Sequence, residues 1–478
     1  MKSALPQKKV FILSAFRVAE NETLQSNEFE RMGYVFAGWS TSPNGSVEYC
    51  DNATVSAIAQ SKEVVQLYAV WEVDPYSIGQ YVETGSVVTD SDNSDSYTVY
   101  NTIASTPVST TGRVIVDWRN DADTNLLNYP EKGTNGRLDI SNSTTEILFI
   151  GSTGKTYSNL CLQLNDFEDD QTLVLRFMNF NFESNAATAI GTNNGSAINL
   201  TIDVIGSSSV KSTSASGSVI GTEAASIEKL HFVGTGVMQL IAGDGATVTT
   251  AGMSGNDGGV AVYAKNIVFD MDSDAKLHIY GGNGSDGVRG ADGADGTTNN
   301  NTTFDYHSYG IFGAEIQSIN HYNKAYAGKK GKTGGNGGNG GLPVVCETLI
   351  ANTPGLTLVY GDGGDGGAGG SGGDGGRGHN YYGYVTGVSY LVCYAPGQGG
   401  DAGDGGDGGD AGHSVVQAYN FDNVEIIAGM DGIAGGGGTP GLKGIGGNGG
   451  ETSGTANYYS AGKAADGLDG DVGAAGNP

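Results

Sequence analysis

The residues of this chain best suited to recognition chemistry are aromatic, and they are concentrated. Three short segments, 297–327, 379–396 and 451–461, hold eleven of its 24 tyrosines in about an eighth of its 478 residues. They are Tyr306, Tyr309, Tyr322 and Tyr326; then Tyr381, Tyr382, Tyr384, Tyr390 and Tyr394; then Tyr458 and Tyr459. His307, His321 and His379 join them, three of only six histidines. Tyrosine offers a broad, stiff surface with a polar tip, which suits a binding loop. The competing expectation is that these segments fold on one another as a small aromatic cap. Reaction chemistry finds less support. Asp166-Phe-Glu-Asp-Asp170 gathers acids, but Gln171-Thr-Leu then starts a strand, so the cluster reads as a solvated turn. Gly281 to Arg289 matches one calcium-binding nonapeptide, with Asp286 as its weak candidate ligand. Such sites need several stacked copies. No serine-elbow, zinc-protease or phosphate-loop motif occurs. The chain therefore reads as non-enzymatic and without a cofactor.

Something must hold the three segments out, and the flanking sequence says what. Each lies between two glycine-rich tracts. Gly361 to Gly378 has non-glycine residues only at 362, 365, 368, 371, 374 and 377, and Gly397 to Gly412 keeps the same period of three. Three is the period of the extended polyproline-II-type helix, which rises about 3.1 Å per residue and makes no hydrogen bonds to itself. A face of glycine lets such helices touch backbone to backbone and pair their free N–H and C=O groups. Collagen is excluded by only 10 prolines, and a flexible linker needs no strict frame. The paired tracts predict three hairpins: legs 281–296 and 328–341, legs 361–378 and 397–412, and legs 429–450 and 462–476. Legs with two glycines in three, such as 361–378, should lie deepest.

The middle of the chain should be the base of these hairpins. Short apolar runs of period two recur from about 75 to 280, and Leu200 and Leu230, Ile202 and Phe232, and Ile190 and Ile220 are each 30 apart. Repetition on that scale is the mark of stacked rungs sharing one core. VMQLIAGDG (237–245), KLHIYGGNG (276–284), LTLVYGDGG (356–364) and VEIIAGMDG (424–432) all end in glycine. Rungs are thus expected to continue to about 428, with the hairpins inserted between them. This region resembles the right-handed parallel β-helices of the pectate-lyase type, some of which bind carbohydrate without catalysis. The glycine-rich part, 281–478, is similar in architecture to the receptor-binding adhesins of T-even-type phages, whose polyglycine helices present distal loops. Near the start, Phe29, Gly33-Tyr34, Phe36, Gly38-Trp39, Tyr49 and Leu67-Tyr-Ala-Val-Trp71 resemble the Listeria–Bacteroides repeat, also called the internalin B-repeat. That resemblance implies a small β-rich module with Phe36, Trp39, Tyr68 and Trp71 in its core.

The expected fold is therefore all-β: a B-repeat-like module over 1–74, a right-handed parallel β-helix over 75–280, and late rungs with polyglycine-II hairpins over 281–478. A net charge of −28 offers nothing to nucleic acid or anionic lipid. No run approaches the ~20 apolar residues of a membrane span. The Asp-rich legs read as a solvated outer face. The apolar run 10–16 after Lys8-Lys9 is too short for a convincing export signal, so the chain is expected to begin inside a longer protein or to have lost its leader. Together these features predict an extracellular adhesin of a bacterial surface that binds a glycan or surface protein through its tips. A structural protein of envelope, matrix or filament, contacting copies of itself, is the alternative. A polysaccharide-binding β-helix or lyase is a further one. One chemical test follows. Cys346 at the foot of the second hairpin and Cys393 in its tip should be separated by roughly 55 Å at about 3.1 Å per residue. A disulfide needs Cα atoms within about 7 Å. Peptide mapping of oxidised protein should find no 346–393 bridge; finding one would collapse the hairpin.

Overall fold

The computed structural model describes residues 21–24, 26–27, 34–42, 45–56, 65–73, 84–89, 96–132, 136–192, 198–300, 302–306, 318–377, 385–387, 390–395, 401–410, 413, 423–443, 445, 451–452, 459–460 and 465–478. Among them there is no α-helix, and the protein is all-β with mostly parallel strands. The first unit pairs antiparallel. Tyr34–Ser40 pairs antiparallel with Tyr68–Val73, with a register shift at Phe36/Gly38, and Asn21–Thr23 pairs with Thr54–Ser56. Trp39 is fully buried in a cluster with Leu24, Val55 and Leu67. The Phe36 ring meets the Trp39 ring edge-on at 4.8 Å. Tyr68 is half-buried. Trp71 stands opposite Phe36 in register, and its side chain lies outside the described residues.

Between Ser96 and Ile427 the chain visits three parallel ladders in turn. The first holds the start of Arg137–Ile150, then Cys161–Asn165, Thr188–Thr192, Ser218–Ile220, the start of Val262–Phe269 and Val344–Val345. The second runs from Ser96–Tyr100 through Ser109–Asp117, the end of Arg137–Ile150, Thr172–Met178, Asn199–Ile205, Ile227–Gly234 and the rest of Val262–Phe269 to Thr348–Ala351. The third comprises Thr156–Tyr157, Asn181–Ser184, Ser207–Ser212, Val237–Ile241, Lys276–Tyr280, Leu356–Val359 and Val424–Ile427. Period two sends alternate side chains inward, so like stacks on like. Ile147, Leu175, Ile202, Phe232 and Phe269 form one buried column of the second ladder. Each such side chain contributes about 1.5–3 kcal/mol by leaving water. The 30-residue spacings are the register itself: Leu200 faces Leu230, Ile202 faces Phe232, and Ile190 faces Ile220. Toward the start of the ladders the core turns aromatic. Phe149 stacks on Phe177 at 5.5 Å, and Tyr157 stacks on Phe180 at 4.7 Å. Trp118 caps them, its indole N–H donating to Thr106 Oγ1 at 2.9 Å.

Glycine-rich excursions leave the ends of the third-ladder strands, and those after Ile241 and Tyr280 return to the first ladder at Val262 and Val344. Within the first long one, Tyr326, Lys329, Lys332, Gly335, Gly338 and Gly341 donate their N–H groups to the carbonyls of Thr297, Ala294, Ala291, Val288, Ser285 and Gly282. That is an antiparallel pair of legs bonded once every three residues. Gly403, Gly406 and Gly409 likewise donate to Gly373, Gly370 and Gly367, and Gly473 and Gly476 to Gly438 and Gly435. Three excursions were expected, and the structure has a fourth. Residues 242–261 make a short one, in which Gly245 donates to Asn283 and Gly255 and Gly258 donate to Asn336 and Asn339. The leg over 361–377 buries seven of its glycines, among them Gly364, Gly367, Gly370 and Gly373, whereas the 428–443 leg buries only Gly435 and Gly438. Cys346, at the foot of the 361–377 leg, is a free thiol.

The glycines are required by contact, not by conformation. Apart from Gly252 at the turn of the short excursion, no described leg glycine has a positive φ. A Cβ on Gly370 would instead sit 2.1 Å from the Ala291 carbonyl oxygen, and one on Gly367 would sit 2.4 Å from that of Val288. Gly436, on the outermost leg, has nothing within 4 Å of such a Cβ. Gly370→Ala should therefore destabilise by about 1–3 kcal/mol, the usual cost of overpacking. Gly436→Ala should be neutral or stabilise by up to about 1 kcal/mol through the unfolded chain. Paired melting curves check this, and equal losses at both positions would refute it.

Candidate binding surface

The tips of the first two long excursions meet in one sheet. Thr302–Tyr306 pairs antiparallel with Ser318–Tyr322, which pairs parallel with Tyr390–Ala395, which pairs antiparallel with Val385–Gly387. The first two strands belong to one tip and the last two to the other. Local pattern could not show this join, because the partners are 74 residues apart. The legs below carry the same offset: Asn336 and Asn339 Oδ1 accept the N–H groups of Asp410 and His413, each 74 residues on. Leg and tip thus share one offset. Pairing places positions 302, 304, 306, 318, 320, 322, 390, 392 and 394 on one face of the sheet. Four of the predicted tyrosine positions, Tyr306, Tyr322, Tyr390 and Tyr394, are therefore on the same face. Tyr326 begins the return leg, is 54% exposed, and donates its N–H to Thr297. Tyr459 lies in the third tip, in Tyr459–Ser460 paired with Glu451–Thr452. His307, Tyr309, His379, Tyr381, Tyr382, Tyr384 and Tyr458 lie outside the described residues.

A groove elsewhere on the molecule was not anticipated from sequence. A groove of ≈ 830 Å³ crosses the third ladder where the legs depart. Its floor is one outward column, Lys211, Ile241, Tyr280, Val359 and Ile427, successive partners in register. The feet of the legs wall it with Asp244, Asn283 and Asp362. The His278 ring lies beside Tyr280, centroids 6.3 Å apart and planes inclined by 29°. The signal was present in the four aligned segments that run into glycine, since 241, 280, 359 and 427 are the last outward positions of each.

The acidic residues divide into two kinds. On the second ladder's outer surface, Arg176 Nε lies 3.2 Å from both Glu146 Oε1 and Asp203 Oδ2, and Arg113 reaches Glu146 at 3.6 Å. Burial pushes the Asp203 carboxyl up, and Arg176 opposes that shift. The aspartates of the legs do something the solvated-face expectation missed: they accept backbone N–H groups of the next layer. Asp286 Oδ1 takes the N–H of Asp365 at 2.8 Å, and Asp365 Oδ1 takes that of Ile433 at 2.7 Å. Asp404 and Asp407 do the same for Asp471 and Ala474. The one candidate calcium ligand, Asp286, is thus engaged within the bundle, and the described residues hold no cluster of three metal-ligating side chains. The acids at 166–170 form an exposed turn in which Asp166 and Asp170 have positive φ.

Some of these carboxyls are held below the ordinary range. For Asp407 the chief cause is the Ala474 N–H, followed by Lys330; for Asp401 it is Lys324, then the Leu468 N–H; for Asp292 it is Arg289, then the Ser371 N–H. A lowered carboxylate contributes stability that is complete above about pH 3.9 and is lost as pH falls through the folded value. Acidifying from about pH 5 to about pH 3 should lower the melting temperature. Asp407→Asn, which keeps a carbonyl acceptor, should flatten that dependence, and Asp407→Ala should lower stability at neutral pH too. A melting temperature independent of pH over this range would contradict the assignment. No protein-family model, curated protein or solved structure matches this chain.

Proposed function

We propose that this is a non-enzymatic, adhesin-like protein of the bacterial surface that binds a glycan or protein receptor through the tyrosine face of its joined tips. The three ladders are read as a right-handed parallel β-helix, the legs as polyglycine-II-type helices, and residues 21–73 as a B-repeat-like module. Support for the legs comes from backbone bonds made only to neighbours and repeated every third residue. The observation that carries the function is the four-stranded tip sheet, with four tyrosine positions on one face, held in the register of a bundle whose legs bury their glycine backbones. Recognition uses rigidly supported aromatic surface, because little ordering is then left to oppose binding.

A second reading has its own observation. The groove on the third ladder presents Tyr280 and the aliphatic column at the strand spacing of about 4.8 Å, close to the advance of one sugar along an extended glycan. The two are separated by one set of variants. Glycan-array and receptor-binding measurements should show at least a tenfold loss, about 1.4 kcal/mol, when Tyr306, Tyr322, Tyr390 and Tyr394 become alanine, with melting unchanged. Loss confined to Tyr280→Ala would move the site to the groove. A large fall in stability of the fourfold variant would make those rings the core of a cap.

A further inference from the structure

The row of side-chain acceptors along the outgoing legs stops at leg 428–443. On the outgoing legs, Asp244, Asn283, Asp362, Asp365 and Asp374 each accept an N–H of the following layer. The residues seated over the last three are Met430, Ile433 and Leu442, which have no side-chain acceptor for a further leg. Their side chains are left 71%, 72% and 74% exposed, and Ile445 in the same frame is 51% exposed. Large apolar side chains aligned in one frame and left in water mark an interaction surface.

The row fits itself. Every third residue reads Met430, Ile433, Gly436, Thr439, Leu442, Ile445. Turned end for end, Met430 meets Ile445, Ile433 meets Leu442, and Thr439 meets Gly436. The space over Gly436 is open to receive the threonine, since a Cβ there would touch nothing within 4 Å. Such self-complementarity is what a two-fold interface demands. Charge agrees with shape. The molecule carries −28, which holds copies apart, yet leg 428–445 carries one acid, Asp431, and one base, Lys443. The axis that matches the apolar row also brings Asp431 of one copy beside Lys443 of the other. Within one copy Asp431 lies 3.9 Å from His413, and Lys443 lies 3.4 Å from Asp469.

We propose that the last glycine layer is a two-fold interface between two copies of this chain, with their 428–445 legs antiparallel. It does not depend on the tip reading. Sedimentation velocity of the full chain should give a concentration-dependent dimer. The double variant Ile433→Asp/Leu442→Asp should sediment as a monomer with an unchanged far-ultraviolet spectrum. Orientation is read by crosslinking in a Cys50→Ser, Cys346→Ser, Cys393→Ser background. Oxidising a mixture of the Ile433→Cys and Leu442→Cys proteins should give the mixed dimer. Neither alone should crosslink, because like positions would be roughly 28 Å apart at about 3.1 Å per residue. A dimer from Ile433→Cys alone would overturn the antiparallel axis, and a wild-type monomer throughout the micromolar range would overturn the interface.

Discussion

The constraint on which the rest of this molecule depends is backbone-to-backbone contact in a fixed register. An extended leg has no hydrogen bonds of its own, so every N–H must find a neighbour. One triplet shows how. Asp365 donates to the Asp286 side chain, Gly366 to the Ile433 carbonyl and Gly367 to the Gly335 carbonyl, three different legs. Ordering glycine is entropically costly, and these bonds with close packing are what offset it. Register is not chosen by the legs, which are nearly featureless, but handed to them by the ladders. Leu277 faces Leu356 in the third ladder, and Asn283, Asp286, Asp292 and Asp295 face residues 79 further on in the legs. The next layer repeats this with 68, from Leu356 facing Val424 to Asp374 serving Leu442. The apolar columns of the ladders thus fix where each glycine falls.

Acidic charge follows from the same constraint. An aspartate at the third position can reach the N–H directly over it, which the glycines on either side cannot do. Rows of carboxylates then accumulate along the legs and account for much of the chain's negative charge. Their mutual repulsion is moderated by the donated N–H groups and by Lys324, Lys330 and Arg289. Against that pattern, methionine, isoleucine and leucine on the outermost leg are a change of chemistry at equivalent positions. The surface of leg 428–443 is therefore of another kind.

Much of this was legible in the residues. A strict period of three located the long legs, and the spacing of Leu200 and Leu230 was the ladder register before any strand was placed. The depth of the 361–377 leg followed from its two glycines per triplet. The excursion at 242–261 escaped because Thr247 to Thr250 interrupts it and leaves too few triplets to count. The role of the leg aspartates escaped for a different reason: an acceptor is defined by the N–H it meets, and that N–H belongs to a residue 39 or more positions away. The joining of two tips, 74 residues apart, likewise has no local signature. The tyrosines marked the tip segments but not the sheet that places four of their positions on a common face.

Amide hydrogen exchange tests the central constraint most directly. If register handed on from the ladders holds the legs, the amides of Gly364, Gly367, Gly370 and Gly373 should exchange as slowly as those of Leu277–Tyr280 and open with them. Exchange of the glycine amides at the rate of an unstructured chain, while the ladder stays protected, would show that the legs are tethers rather than a bundle.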